Sequence, residues 1–307
     1  MISPQGTIAK EAYYKGIGLH TGNLCKIVFK PAPENNGVTL VRTDLPGQPH
    51  IQALYSNVIS VIRGTTVGND IMRVHTIEHV LSAVYALGID NLILELDANE
   101  PPVADGSSRV FFDTLKEAGI VAQNAERKIL RPTERMEYRS GDTEVTLEPS
   151  ESLRLTIVLQ YNHPLIHTQE VSFPIESDLY RAEISPARTF CFDYEVEALK
   201  KQGLAKGGSL DNAVVVGLDR IHNKEKQLRF PDEFARHKTL DLLGDLFLLG
   251  CRLEAHVKAI RPGHGHNVNF VKLVAEKFLN TQKTSSPAVV GGGPMDSRPA
   301  TAGNDVR

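Results

Sequence analysis

The sequence predicts an α+β fold of two duplicated domains, each a small, mainly antiparallel sheet layered with helices, packed as a sandwich with the active site at the interface. Three observations predict it. Strand-like alternation and helix-like runs follow one another in the same order in both halves. Each half holds an apolar helical run that stops at a glycine, Gly88 or Gly250. Those runs also carry acid, base and metal-ligand side chains in matching register, His75-Thr76-Ile77-Glu78-His79 in one and His237-Lys238-Thr239-Leu240-Asp241 in the other. Sliding one run on the other puts His75 on His237, His79 on Asp241, Tyr85 on Phe247 and Leu87 on Leu249.

In the first half, Leu24–Phe29 and Gly37–Val41 read as strands. A helix is expected from near His75, with Ile77, Val80, Leu81, Val84 and Leu87 as its apolar stripe and Gly88 as its C-terminal cap. Leu92–Leu96 reads as the next strand. The turn-rich Pro101–Ser108 then leads to a helix through Phe111, Leu115 and Ala118, ending at Gly119. The second half repeats the plan, with strands through Val145 and Leu147 and through Leu153, Leu155, Ile157 and Leu159. An insertion with a helix over Glu195–Gln202 and a strand over Ala213–Gly217 precedes a long helix from Asp232 to about Leu249. A strand through Leu253, Ala255, Val257 and Ala259 follows, then the glycine-rich Arg261–His266 and an amphipathic helix using Val271, Val274 and Phe278. The boundary is expected near the charged Gln123–Arg131, giving domains 1–125 (Glu78, His79) and 126–282 (His237, Asp241, His264). A tail over 283–307 is too polar and glycine-rich to offset its ordering entropy and is expected to be disordered.

Composition excludes several function classes. A net charge of -3 provides no basic stripe for nucleic acid. No run approaches the roughly 18 apolar residues of a membrane span, and the first residues lack a signal-peptide core. Cys25, Cys191 and Cys251 are far apart and odd in number, so neither a disulfide framework nor a thiolate zinc site is expected. A cytoplasmic setting fits reduced thiols.

Residues four apart share a helical face, so His237 and Asp241 can hold one cation. A catalytic zinc usually takes three His, Asp or Glu ligands and keeps a fourth position open. His79, at the duplicated position of Asp241, is the candidate third ligand. Glu78 is rotated by about 100° from it and is placed to act as general base. Asp245 is a further polar group on the Asp241 face. Alternatively, these charges border the solvent side of their helix. His264, in a glycine-rich turn, is a candidate for oxyanion stabilisation or protonation of a leaving amine. His75-x-x-Glu78-His79 also fits the H-x-x-E-H pattern of inverted zinc peptidases, in which both histidines bind metal. That reading leaves His237 and Asp241 unexplained. Gly16–Gly22 lacks the Gly-Lys-Ser/Thr ending of a phosphate loop. A third possibility is a non-catalytic binding protein with a closed structural metal site, which needs a fourth protein ligand.

Taken together, Gly16–Gly22, Arg42–Asp44, Thr76–His79, Gly88–Asn91, Asp105–Ser107, Asn162–Pro164, Ala187–Phe190, Gly207–Ser209, Arg236–Lys238, Asp241, Gly244–Leu246 and Gly263–His264 closely resemble the zinc-dependent UDP-3-O-acyl-N-acetylglucosamine deacetylases of lipid A synthesis. The resemblance runs in order from near the N-terminus to about residue 280 and implies one zinc, with iron(II) as a substitute, held by His79, His237 and Asp241. It implies Glu78 as general base, His264 as the positively charged proton donor, Asp245 as the group that orients it, and Thr189 at the oxyanion. It further implies Lys238 near the nucleotide-sugar phosphates, Leu19, Phe190 and Phe192 along an acyl-chain passage, and Tyr161 and Glu195 near the uracil and ribose. The expected partner is a UDP-linked acylated amino sugar, acted on by a monomer.

Overall fold

The structure, a computed structural model, describes residues 3–280. Two five-stranded sheets repeat one topology. In space the first runs Ala12–Ile17, Leu24–Pro31, Leu92–Leu96, Val38–Arg42, His50–Gln52. The second runs Met136–Ser140, Thr143–Pro149, Ala255–Ile260, Arg154–Leu159, Gln169–Pro174. In both, the central strand is antiparallel to one neighbour and parallel to the other. The parallel partner precedes it in the chain, and a parallel connection requires a long crossover. Each crossover carries a helix, α1 (Glu78–Ala86) in the first half and α5 (Glu233–Phe247) in the second.

The remaining helices are α2 (Arg109–Glu117), α3 (Ser177–Leu179), α4 (Asp193–Lys201) and α6 (His264–Val274). Helix α2 lies on the first sheet, α5 and α6 on the second, and α1 meets α5 across the middle. Every residue of α1 is buried, as its position between layers requires. Alternation does the rest: Cys25, Ile27 and Phe29 point inward from one strand and Ala255, Val257 and Ala259 from its counterpart. Gly88 and Gly250 close α1 and α5 at φ 71° and 72°, the left-handed position that glycine occupies without a Cβ clash. The α+β, duplicated architecture expected from sequence is therefore present. The tail over 283–307 lies outside the described residues.

Two expectations need correction. Helix α1 begins at Glu78, three residues later than expected, because Thr76 sits at φ 52° and breaks the helical path. His75 therefore precedes the helix, whereas His237 lies inside α5, and their proposed equivalence does not hold. His264 is not in a turn: it is the first residue of α6, after Gly263 in extended conformation. A further feature had no counterpart in the sequence reading. Residues Val58–Ser60, Thr66–Gly68 and Arg73–Val74 form a three-stranded sheet ahead of α1. It matches in place the small sheet of Phe190–Phe192, Val214–Val216 and Ile221–His222 ahead of α5.

Candidate active site

The N-terminal turn of α1 and the last turn of α5 meet closely, and Gly244 makes the approach possible. A Cβ at 244 would lie 2.1 Å from the Glu78 carbonyl oxygen. Only hydrogen fits there, so the two helix backbones touch at the position of Glu78 and His79. At the C-terminal ends of the same helices, the rings of Tyr85 and Phe247 meet edge-on, 6.3 Å between centroids.

Three ligand-type side chains converge in this seam. Atoms of His79, His237 and Asp241 lie within 4.8 Å of one another. Asp241 Oδ1 is 3.4 Å from His237 Nε2 and 3.6 Å from His79 Nε2. That oxygen is buried and accepts no hydrogen bond from the protein. An unpaired buried carboxylate oxygen costs several kcal/mol in dry surroundings, and a cation between it and two imidazole nitrogens removes the penalty. Protonation states suit this. Burial pushes His237 down to about 3, leaving a neutral ring with a free lone pair. His237 Nδ1–H donates to the Ala187 carbonyl at 3.1 Å, which turns Nε2 toward the cluster. Burial raises the Asp241 carboxyl, but the charges of Lys238 and His264 outweigh it and hold the group well below the usual range. Lys238 Nζ donates to Asp241 Oδ2 at 2.8 Å. The donor set of two imidazoles and one carboxylate fits a divalent metal.

A second constellation flanks the first. Glu78, 2% exposed, accepts a hydrogen bond from the Thr65 backbone N–H at 3.0 Å, and burial raises its pKa against the pull of His264. His264 Nε2 stands 3.6 Å from Glu78 and 3.8 Å from Asp241, while its Nδ1–H donates to Asp245 Oδ2 at 3.0 Å. Burial and the start of α6 both oppose a cation here, the helix dipole by about 0.3–1 kcal/mol. One carboxylate at about 4 Å is worth ~4 kcal/mol at an effective dielectric of 20. Three of them win, and His264 is raised to about 9. Buried Glu78 and half-buried, charged His264 thus face each other beside the ligand-type cluster. Asp245 is fully buried, and His237 and Asp241 are 2% exposed, so these charges do not border solvent as the alternative reading held.

Some of the other sequence-derived residues line an adjoining cavity of about 260 Å³. Leu19, Thr189 and Phe190 line it, together with Val196, Leu199 and Leu210. Phe192 is not part of that lining; it packs against Tyr161 and stacks on Tyr194. Lys238 Nζ sits over the Phe190 ring, joining cavity and cluster. Glu195 accepts from the Phe192 N–H and pairs with Arg63 at 2.5 Å. Tyr161 is exposed beside Phe190 and Phe192. His75 stays apart from the cluster: its Nδ1 bonds Thr66 Oγ1 at 3.0 Å, and it belongs to neither group of clustered ligand atoms.

Sequence reasoning assigned no role to Thr65, Glu100 or Asn267. Fully buried Glu100 accepts from the His20 and Thr21 backbone and from the Thr21 and Thr76 hydroxyls, which shapes the Gly18–Gly22 loop and holds Thr76 in its left-handed turn. Asn267 Nδ2 donates to Asp245 at 2.9 Å. Its signal was a spacing of three from His264, visible only once α6 is known to start there.

Residues 5–276 match the family model LpxC, UDP-3-O-acyl N-acetylglycosamine deacetylase. The UDP-3-O-acyl-N-acetylglucosamine deacetylase of Bdellovibrio bacteriovorus is 44% identical over 85% of this chain and 86% of its own length. That of Syntrophotalea carbinolica is 41% identical over 88% and 87%. The bifunctional enzyme LpxC/FabZ of Chlorobaculum tepidum is 43% identical over 92% of this chain, which spans 66% of that relative. With most of its length matched and the deacetylase relatives covered nearly end to end, the chain belongs to the UDP-3-O-acyl N-acetylglycosamine deacetylase family.

Proposed function

We infer that the protein is a metal-dependent deacetylase that hydrolyses the 2-acetamido group of a UDP-3-O-acyl-N-acetylglucosamine, releasing acetate, in lipid A biosynthesis. The observation that carries this reading is the unpaired Asp241 oxygen facing two imidazoles, with the Glu78–His264 acid–base pair alongside. His79, His237 and Asp241 are taken as the ligands of a single zinc, and iron(II) suits the same donor set. When bound, the ion polarises the acetamide carbonyl and lowers the pKa of water from about 15.7 to about 7.

The chain's own groups perform the proton transfers. Glu78, with its pKa raised by burial, accepts the proton of the attacking water. His264, charged at neutral pH, stabilises the tetrahedral intermediate and protonates the departing amine. Asp245 holds its ring. Thr189 is assigned to the oxyanion, where one well-placed donor is worth ~3 kcal/mol. Lys238 is assigned to the nucleotide phosphates, Leu19, Phe190 and Phe192 to the acyl chain, and Tyr161 and Glu195 to the nucleoside. The two halves divide at 125/126 and the site lies between them. The protein is taken to work as a monomer in the cytoplasm.

One assay tests the reading: amine release from the UDP-acyl-sugar by the purified chain, before and after chelation, and again after adding zinc or iron(II). Release that chelation abolishes and one of these metals restores is the expected result. Release unaffected by chelation refutes metal dependence, and no release from any metal-loaded form refutes the function.

A further inference from the structure

We propose that Thr65 is a positioning residue that sets the distance between the general base on one half of the molecule and the acid dyad on the other. The proposal rests on the deacetylase reading above and adds a group to its machinery.

Thr65 is fully buried just ahead of the Thr66–Gly68 strand. Its backbone is committed to the start of α1. The N–H donates to Glu78 Oε2 at 3.0 Å, and the carbonyl accepts from the Ile77 N–H at 3.3 Å. The side chain is left to reach the other half. The hydroxyl donates to Asp245 Oδ1 at 2.5 Å, and the same oxygen lies 3.4 Å from His264 Nδ1. One residue therefore grips the carboxylate of the base through its main chain and the carboxylate behind the acid through its side chain.

The hydroxyl matters because Asp245 is an acceptor-only group with no solvent. Its Oδ2 receives His264 Nδ1–H and Asn267 Nδ2–H, both from α6. Its Oδ1 receives Thr65 alone among the described residues. Removing that donor strips one oxygen of a fully buried carboxylate of its only partner. The carboxylate then turns to find another, and the His264 ring turns with it. His264 Nε2 and Glu78 Oε1, 3.6 Å apart, must both reach the same reacting amide. A displacement of about 1 Å in such a pair costs on the order of 10²-fold in rate.

Thr65→Val keeps the shape and both backbone bonds and removes only the donor, whereas Thr65→Ser keeps the donor. In the full, metal-loaded chain, Thr65→Val should lower kcat by about 10–100-fold, the usual range for a group supporting a reacting residue. KM and metal content should stay at wild-type values, and Thr65→Ser should recover most of the loss. In histidine-labelled protein, the His264 Nδ1–H resonance should shift or broaden in Thr65→Val and return in Thr65→Ser. If Thr65→Val does not fold, Thr65→Ala retains the same backbone bonds and serves in its place. Wild-type kcat in the donor-free variant, or equal damage in Thr65→Ser, overturns the proposal. An unchanged His264 resonance in the donor-free variant overturns it too, and this readout stands even if the wild-type chain releases no amine and the deacetylase reading itself fails.

Discussion

Replacing Gly244 with alanine adds one methyl group where the two halves touch. The new Cβ would lie 2.1, 2.8 and 2.9 Å from the carbonyl oxygen, carbonyl carbon and Cα of Glu78. Real Cβ atoms essentially never approach within 3.0 Å, so the pair falls short by about 1 Å at the oxygen. The obstacle is main chain at the first turn of α1, and no rotamer relieves it. Helices α1 and α5 must therefore separate, at a cost of about 1–3 kcal/mol for overpacking. That corresponds to roughly 2–4 °C in melting temperature per kcal/mol for a chain near this size. Activity should suffer more than stability. His79 moves with Glu78, while His237 and Asp241 stay with α5, so the ligand triad opens along the same line. A shift of about 1 Å at reacting groups is worth on the order of 10²-fold in kcat. Thermal melts, metal titration by calorimetry and steady-state kinetics of Gly244→Ala measure all three. A variant with wild-type metal affinity and kcat refutes the idea that the glycine sets the spacing of the site.

Other outcomes follow from the separate roles of neighbouring groups. Asp241→Ala should lose metal together with activity, whereas Glu78→Ala should keep metal by elemental analysis and lose most turnover; equal metal loss contradicts the division of roles. His75→Ala should keep wild-type metal stoichiometry, since His75 bonds Thr66 outside the cluster, and a metal-free product would revive the peptidase-type site. The pH profile of kcat/KM should be bell-shaped. Its acid limb should lie above the 4.5 of an ordinary glutamate, because Glu78 must be ionised and burial raises its pKa. Its basic limb follows His264, which must be charged: activity is present below about 9 and lost as pH rises through it. His264→Gln should leave a residual rate without that limb, and a basic limb unchanged in position would assign it to another group.

How much of this was legible in the sequence depended on the range of the interaction. The duplicated plan was visible because apolar alternation and glycine stops are local patterns, and the strands and helices they mark recur in both halves. Residue spacing brought His237 and Asp241 to one helical face correctly, since both lie within α5. The same logic failed at His75. Thr76 is held in a left-handed turn by a hydroxyl bond to Glu100, 24 residues away, and no local pattern encodes that contact. The small sheet ahead of α1 escaped because strands of two or three residues contain too little alternation to register. Thr65 and Asn267 escaped for a different reason: a hydroxyl and an amide occur everywhere in proteins, and only their meeting at Asp245 distinguishes them.

The charge inventory of the seam argues for a dication more strongly than any single ligand does. Glu78, Asp241 and Asp245 are buried carboxylates, opposed by the cations Lys238 and His264, while His237 is held neutral. Lys238 is committed to Asp241 Oδ2 and His264 to Asp245, so neither cation neutralises Asp241 Oδ1. Burying such an oxygen without a donor is costly even though Lys238 pairs with the other oxygen, and a fold with no use for it would lower the cost by replacing Asp241 with an apolar residue. The oxygen is instead aimed between two imidazole nitrogens whose other ring atoms point away, one of them fixed by the Ala187 carbonyl. A closed structural site would need a fourth protein ligand beside these three. The further ligand-type side chains beside the cluster are Glu78 and His264, which face each other at 3.6 Å. Under the proposed deacetylase reading these two are the groups that take and give the protons of amide hydrolysis, which leaves neither as that fourth ligand.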